Sequence, residues 1–252
     1  MTFSVVPATF ADLRDWRAIY LASLPEPQEF HCERLSRRGR PFLLVRAGEV
    51  LGYFITDGAS TLVEFHAAGG DLFDRLVEQT GIRRALCKSF DEPLHAVCSR
   101  RAAQAKTTGL LYRRIVDPGF TPDPAIQVRA ADERDVPAVM AANDGFFGED
   151  AEAIAYVRAG QLFLYETGTG LAGCGLLQRV TPVHKAYDVG MMVAPGQRRQ
   201  GLGRYIVQHL VHLCLTTGKR PIAGCNVENR ASQNCLESAG FRSEHQLIEF
   251  AW

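Results

Sequence analysis

The chain has 252 residues, 46% of them hydrophobic and 22% charged, with 28 basic residues against 28 acidic ones and a pI near 7.0. That is an ordinary globular composition, long enough for one large domain or for two of about 120 residues, each with its own core. The balanced charge excludes the electrostatic footprint of a nucleic-acid or anionic-membrane binder, and the short clusters Arg37-Arg38-Arg40, Arg100-Arg101 and Arg113-Arg114 read as solvated surface. Seven cysteines without a C-x-x-C pair argue against a disulfide framework and against a zinc site, so no metal is expected. No apolar run approaches the roughly 18–20 residues of a membrane helix, and residues Met1–Pro7 lack a basic n-region followed by an apolar stretch. A cytoplasmic setting, away from membranes, is the resulting expectation.

In chain order, Phe3–Pro7 reads as a strand and Ala11–Leu24 and Glu29–Arg37 as helices. Pro41–Arg46 and Leu51–Thr56 form a hairpin across Ala47-Gly48-Glu49. Thr61–Ala67 is a strand, Asp71–Gln79 a helix, Ile82–Cys87 a strand, Glu92–Arg101 a helix and Gly109–Val116 a closing strand. Asp117-Pro118-Gly119-Phe120-Thr121-Pro122-Asp123-Pro124 then interrupts regular structure, because proline fixes φ and removes a donor. The division predicted from this is an N-terminal domain over 1–117, a Pro-rich linker over 118–125 and a C-terminal domain over 126–252.

The element order repeats after the linker. Ile126–Ala131 alternates like a strand, and Asp132 caps a helix with Asp135 and Pro137 in its first turn. Glu149–Ala159 is a helix. Gln161–Glu166 and Leu171–Val180 are strands joined at Gly168-Thr169-Gly170, and Ala186–Val193 is a third strand. Gly201–Thr217 is a long helix closed by Gly218, Pro221–Val227 a strand, Arg230–Ala239 a helix and Gln246–Phe250 a last strand.

The run from Tyr187 to Tyr205 carries chemistry. A strand stops at Ala194-Pro195, a basic turn follows, and Gly201 and Gly203 open an amphipathic helix. Glycines there let a ligand approach the backbone, and the helix-start N–H groups with the positive end of the dipole form an anion site suited to a pyrophosphate. Arg198, Arg199 and Arg204 add charge beside it. The spacing is not the G-x-G-x-x-G of a dinucleotide fold, and the G-K-[ST] of a P-loop is absent. About 25 residues on stands Asn229-x-x-Ser232, ending at Gly240-Phe241.

Together, Arg198-Arg199-Gln200-Gly201-Leu202-Gly203 and Asn229-x-x-Ser232…Gly240-Phe241 resemble the GCN5-related N-acetyltransferase (GNAT) superfamily over roughly residues 126–250. The first stretch matches its R/Q-x-x-G-x-G/A coenzyme loop and the second its N-x-x-A/S…G-F helix. The resemblance implies an α/β fold of tandem GNAT-like domains, each a mixed, mostly antiparallel sheet flanked by helices, the first degenerate. It implies acetyl-CoA as cosubstrate, in a V-shaped opening between the strand ending at Val193 and the strand Pro221–Val227. Pantetheine would run along Met191, Met192 and Val193, the pyrophosphate would sit on Arg199–Arg204, and Asn229 and Ser232 would line the far side. A small-molecule or peptide amine would attack the thioester directly, with a backbone N–H near Met192 or Val193 as oxyanion donor.

The family often places a carboxylate base where Asp188 stands, and His184, in the preceding loop, is a second candidate. The tyrosine that many members carry seven residues after the motif Asn is Leu236 here, which donates no proton. Two functions therefore fit: an N-acyltransferase, or a non-catalytic acyl-CoA-binding module. In the first half the place of the coenzyme loop, Phe65–Phe73, has no arginine before its glycines and carries Asp71, which would repel a pyrophosphate. His31, His66 and His95 suggest no constellation.

Overall fold

In the computed structural model, residues 3–67, 71–116 and 119–252 are described, the side chain of Asp71 excepted. The glycines expected at the place of a coenzyme loop, within 68–70, Asp117 and the first linker residue, Pro118, fall outside that range. The N-terminal half runs β1 (Ser4–Pro7), α1 (Arg14–Ser23), α2 (Phe30–Arg38), β2 (Arg40–Arg46), β3 (Glu49–Thr56), β4 (Thr61–Ala67), α3 (Asp71–Thr80), β5 (Arg84–Lys88), α4 (Glu92–Arg101) and β6 (Gln104–Ile115). The C-terminal half runs β7 (Gln127–Ala130), α5 (Val136–Ala141), α6 (Asp150–Arg158), β8 (Leu162–Thr167), β9 (Gly170–Arg179), β10 (Ala186–Val193), α7 (Leu202–Thr216), β11 (Arg220–Asn226), α8 (Arg230–Ser238) and β12 (Phe241–Ala251).

Local chemistry accounts for most of these boundaries. The β2–β3 turn places Ala47 at φ 50° and Gly48 at φ 85°, the left-handed pair that matches the twist of a two-residue hairpin. Asp91 caps α4, its side chain accepting from the Leu94 N–H. Asp132 and Asp135 close a reciprocal capping box around the 3-10 turn Glu133–Asp135, and α5 starts only after it, with Pro137 in its first turn. The single helix expected from Asp132 is therefore two elements. Helix α7 buries Ile206, Val207, Leu210, Val211 and Cys214, one face at helical spacing. Burying each of its aliphatic side chains contributes about 1.5–3 kcal/mol relative to exposure.

The twelve strands of the described residues form one sheet, in the order β1-β2-β3-β4-β5-β12-β6-β11-β10-β9-β8-β7. The middle of that order is an exchange between halves. β12, last in the chain, enters beside β5, and β6, last of the first half, enters beside β11. β6 and β12 pair with each other from Phe241↔Ile115 to Ala251↔Gln104, with bulges that let the long ladder twist. Each half thus borrows its neighbour's closing strand. The two cores also touch across the exchange, since Leu111 of β6 and Leu247 of β12 pack with Leu13, Tyr20, Leu21 and Tyr53.

Both exchanged strands are longer than expected. β6 begins at Gln104 rather than Gly109, and β12 at Phe241 rather than Gln246. Their added residues are mostly polar and exposed, so no local alternation marks them; the partner strand, distant in sequence, holds them extended. The Arg113-Arg114 cluster also departs from its reading as solvated surface. Arg114 is exposed and pairs with Glu244, but Arg113 is 5% exposed at the junction of the halves.

Candidate active site

The site begins where two parallel strands part. β10 and β11 are in register only at Ala186↔Arg220, Tyr187↔Pro221 and Asp188↔Ile222. Beyond that, β10 stays paired to β9 as far as Val193↔Gly173, and β11 stays paired to β6 from Ala223↔Tyr112 to Asn226↔Gly109. The facing edges are left without a strand partner. Their backbone donors and acceptors remain for a ligand lying between them.

A cleft of 940 Å³ occupies this parting. Met191, Met192, Val193, Arg198, Arg199, Gly201, Leu202, Gly203, Arg204, Asn229 and Ser232 line it; Gln200 is exposed and does not, while Gln197 does. Arg199 at φ 62° and Gly201 at φ 82° turn the chain sharply into α7. A Cβ on Gly201 would meet nothing within 4 Å, so glycine is required there by its left-handed backbone rather than by crowding. At Gly203 the reason is contact, because a Cβ would lie 2.9 Å from Cys235 Sγ on α8. Leu202 and Gly203 are both the first residues of the 15-residue α7 and part of the cleft wall, so the positive end of that helix faces the cleft.

The arginines divide. Arg198 donates to Asp144 at 2.8 Å and to the Val193 carbonyl at 3.3 Å, tying the loop to the segment before α6. Arg199 and Arg204 stand exposed at the cleft mouth. Asp144, Gly145 and Phe146 form a wall that the sequence reading missed. Asn143 shapes it, its Oδ1 accepting from the N–H groups of Phe146 at 2.8 Å and Phe147 at 3.0 Å. On the far side Asn229 caps α8, its Oδ1 accepting from the Ser232 N–H at 3.0 Å. Leu236, 3% exposed, presents only hydrocarbon. Beside it, burial pushes the Cys235 thiol up to about 11.

A second cavity of 470 Å³ adjoins the cleft and shares Gly224, Cys225 and Asn226 with it. Both halves build it: Glu29, His31, Leu86, Thr108, Gly109 and Leu111 come from the first, Asp188, Leu247 and Glu249 from the second. His31, which suggested no constellation, stands at this cavity. Glu29, His31 and Glu249 carry no local motif, and only the fold brings them together. Asp188 lies on the wall nearest the cleft, its Oδ2 accepting from the Phe30 N–H at the start of α2 at 2.7 Å. Desolvation raises this carboxyl from 3.8 to about 7, outweighing that hydrogen bond and the attraction of Arg113. Arg113 donates to Pro27 O at 2.7 Å, to Ala223 O at 3.0 Å and to Glu29 Oε2 at 3.0 Å, locking strand, loop and helix together behind the wall. His184 lies outside both cavities; its Nε2 is 2.8 Å from the Leu21 carbonyl, where it ties the loop before β10 to α1.

Among the described residues no group of three or more His, Cys, Asp or Glu is placed to hold a metal ion, and no helix is long and apolar enough to cross a membrane.

Comparison with known proteins agrees with this geometry. The model of the acetyltransferase (GNAT) family matches residues 129–241, and that of an acetyltransferase (GNAT) domain matches residues 9–114. A GNAT-family acetyltransferase from Colwellia psychrerythraea shares the fold with a TM-score of 0.88 at 19% identity, each chain covered in full. A tandem GNAT protein from the clavulanic acid biosynthesis pathway superposes with a TM-score of 0.66 at 16% identity, covering 100% of this chain and 98% of the other. A GCN5-related N-acetyltransferase from Sphaerobacter thermophilus also gives 0.66, at 14% identity, over 98% and 94% of the two chains. No curated protein matches the chain in sequence.

Proposed function

Because the chain belongs to the GNAT acetyltransferase superfamily, as a tandem of two such domains, we propose that it transfers an acyl group, acetyl in the first instance, from coenzyme A to an amine by direct attack. The coenzyme would enter the parting of β10 and β11, with pantetheine along Met191–Val193 and the pyrophosphate at the start of α7 between Arg199 and Arg204. The N-terminal half, with no arginine before its corresponding glycines, serves instead as a wall of the acceptor cavity.

The observation that supports this reading is Asp188, a carboxyl held near neutrality where the acceptor cavity meets the cleft. A base is most effective when its pKa lies near the working pH. Asp188 takes a proton from the acceptor's ammonium group. The freed nitrogen lone pair attacks the thioester carbonyl, a backbone N–H near Met192 or Val193 holds the oxyanion, and the C–S bond then breaks to release thiolate. With a thiol pKa of about 8–9 the thiolate is a competent leaving group without a tyrosine acid, so Leu236 is compatible with turnover. The proton left on the new amide nitrogen passes to solvent or to the thiolate.

A non-catalytic acyl-CoA-binding role has Leu236 in its favour. Release of free thiol from acetyl-CoA against a panel of amines separates the two readings. Amine-dependent thiol release with a matching acetylated product is expected; acetyl-CoA binding with no release for any amine would favour the binding module.

A further inference from the structure

The cavity that would hold the acceptor is chemically one-sided. Glu29, Asp188 and Glu249 line it together with His31, whose burial holds its pKa below the ordinary value, and among the described residues no lysine or arginine does. Cations stand behind or beyond the wall: Arg113 pairs with Glu29 Oε2, Lys88 is held by Tyr20 and Gln28, and Arg84 lies 4.0 Å from Glu249 at the outer end. Lys106, exposed on β6, is the cross-strand neighbour of Glu249 there. Glu249 is therefore already matched, and the inner carboxylates are what a ligand meets.

Glu29 is the informative one. It is 2% exposed, and while its Oε2 receives Arg113, its Oε1 is buried without a hydrogen-bond partner. The Cys32 thiol on α2, a weak donor, and the residue's own backbone N–H also support this carboxylate, but neither gives Oε1 a full hydrogen bond. Burial works against the charge of this carboxyl, yet Arg113, the Cys32 thiol and Lys88 overcome it and hold its pKa below the ordinary value, so Oε1 belongs to an ionised group. A buried charged acceptor without a full-strength donor is destabilising, so the pairing of Oε2 with a guanidinium and of Oε1 with no comparable partner calls for a donor from the cavity. Glu29 is also adjacent in sequence to Phe30, whose N–H holds Asp188. Asp188 feels the charge of Glu29, so the two carboxyls are neighbours, and the apolar lining beside them includes Gly109, Gly224 and Leu111.

We propose that the acceptor is a small primary amine bearing a second cationic nitrogen a few carbons away, which donates to Glu29 Oε1 while the reacting amine sits at Asp188. This rests on the acyltransfer reading and deepens it. A second ammonium satisfies Oε1 and spans a short apolar floor. A carboxylate at the same place would face Glu29 and Asp188 with no cation on the wall to receive it.

The test compares 1,4-diaminobutane, n-butylamine and 4-aminobutanoate as acceptors for the full-length chain with acetyl-CoA. A charge-assisted hydrogen bond predicts at least about tenfold higher kcat/KM for the diamine than for the monoamine, with the amino acid lowest. In Glu29→Gln the diamine's advantage should fall to within about threefold. If that variant does not fold, the wild-type series decides alone. Equal turnover of all three by the wild type would overturn the inference and leave acyl transfer standing. If no amine is acylated, acyl transfer fails, and calorimetry on the wild type decides the inference separately. Binding of 1,4-diaminobutane about tenfold tighter than n-butylamine would sustain it, and equal binding would overturn it.

Discussion

The two halves part their central strands in the same way and use the gap differently. In the C-terminal half β10 and β11 separate after Asp188↔Ile222 and leave an open cleft, with Gly190, Gly201, Gly203 and Gly224 in its wall and, among the described residues, no buried ion pair filling it. In the N-terminal half β4 and β5 stay in register only at Thr61↔Arg84 and Leu62↔Ala85, yet the strand ends beyond carry Glu64 and Lys88, both buried. Arg17 donates to Glu64 and Glu33, Lys88 donates to Tyr20 Oη at 2.7 Å, and Tyr20 donates to Asp91 at 2.6 Å. His66 packs its ring against Trp16, Tyr20 and Tyr53. One backbone device therefore becomes a ligand cleft or a polar plug according to the side chains placed in it. In the proposed function the first half supplies a wall of the site, with the Phe30 N–H holding Asp188 from across the junction.

The strand exchange gives the largest effect by which to break this comparison. Residues 126–252 expressed alone lack β6, which separates β11 from β12 in the sheet. That fragment should show no cooperative thermal transition by circular dichroism, and co-expression with residues 1–116 should restore one. A fragment folding alone would mean that the halves are independent units. Next comes the plug. Lys88→Met leaves Asp91 and Glu29 short of a buried cation, so chemical denaturation should show a loss of about 3–5 kcal/mol, with acetyl-CoA affinity unchanged in the folded variant.

The base sharpens the comparison from the other side. Asp188→Asn should lower kcat/KM by about 10²–10⁴ with acetyl-CoA affinity nearly intact. In the wild type kcat/KM should rise with pH and level off above about 7, where Asp188 is ionised. The same carboxyl has a stability signature. Its pKa is higher folded, about 7, than its ordinary 3.8, so its contribution is fully present below about pH 4 and is lost as pH rises through 7. Asp188→Asn should therefore shrink the fall in Tm between pH 4 and pH 8. The smallest effect belongs to the cleft mouth. Arg204→Glu, on an exposed residue, should leave stability within about 0.5 kcal/mol and weaken acetyl-CoA binding about tenfold by calorimetry.

How much of this was legible depended on how local its causes are. The loop that lines the cleft could be read because its glycines, arginines and helix start are contiguous from Arg198 to Arg204, and the cap at Asn229 lies three residues from the N–H it accepts. The prolines after Val116 interrupt regular structure and suggested a boundary, but no local pattern announced that β6 and β12 would pair across the two halves. Arg113 looked like a surface residue beside Arg114; only the placement of Pro27, Ala223 and Glu29 around it makes it an interior lock. The acceptor cavity was invisible for the same reason. Its acids come from α2, β10 and β12, and long-range pairing alone assembles them.

The central claim is that one parting of strands binds the coenzyme and the other does not. Calorimetric titration of the full-length chain with acetyl-CoA tests it directly. One equivalent per chain is predicted, with the heat lost when Arg199 and Arg204 are both replaced by Glu. Two equivalents, or one that survives that double replacement, would contradict it.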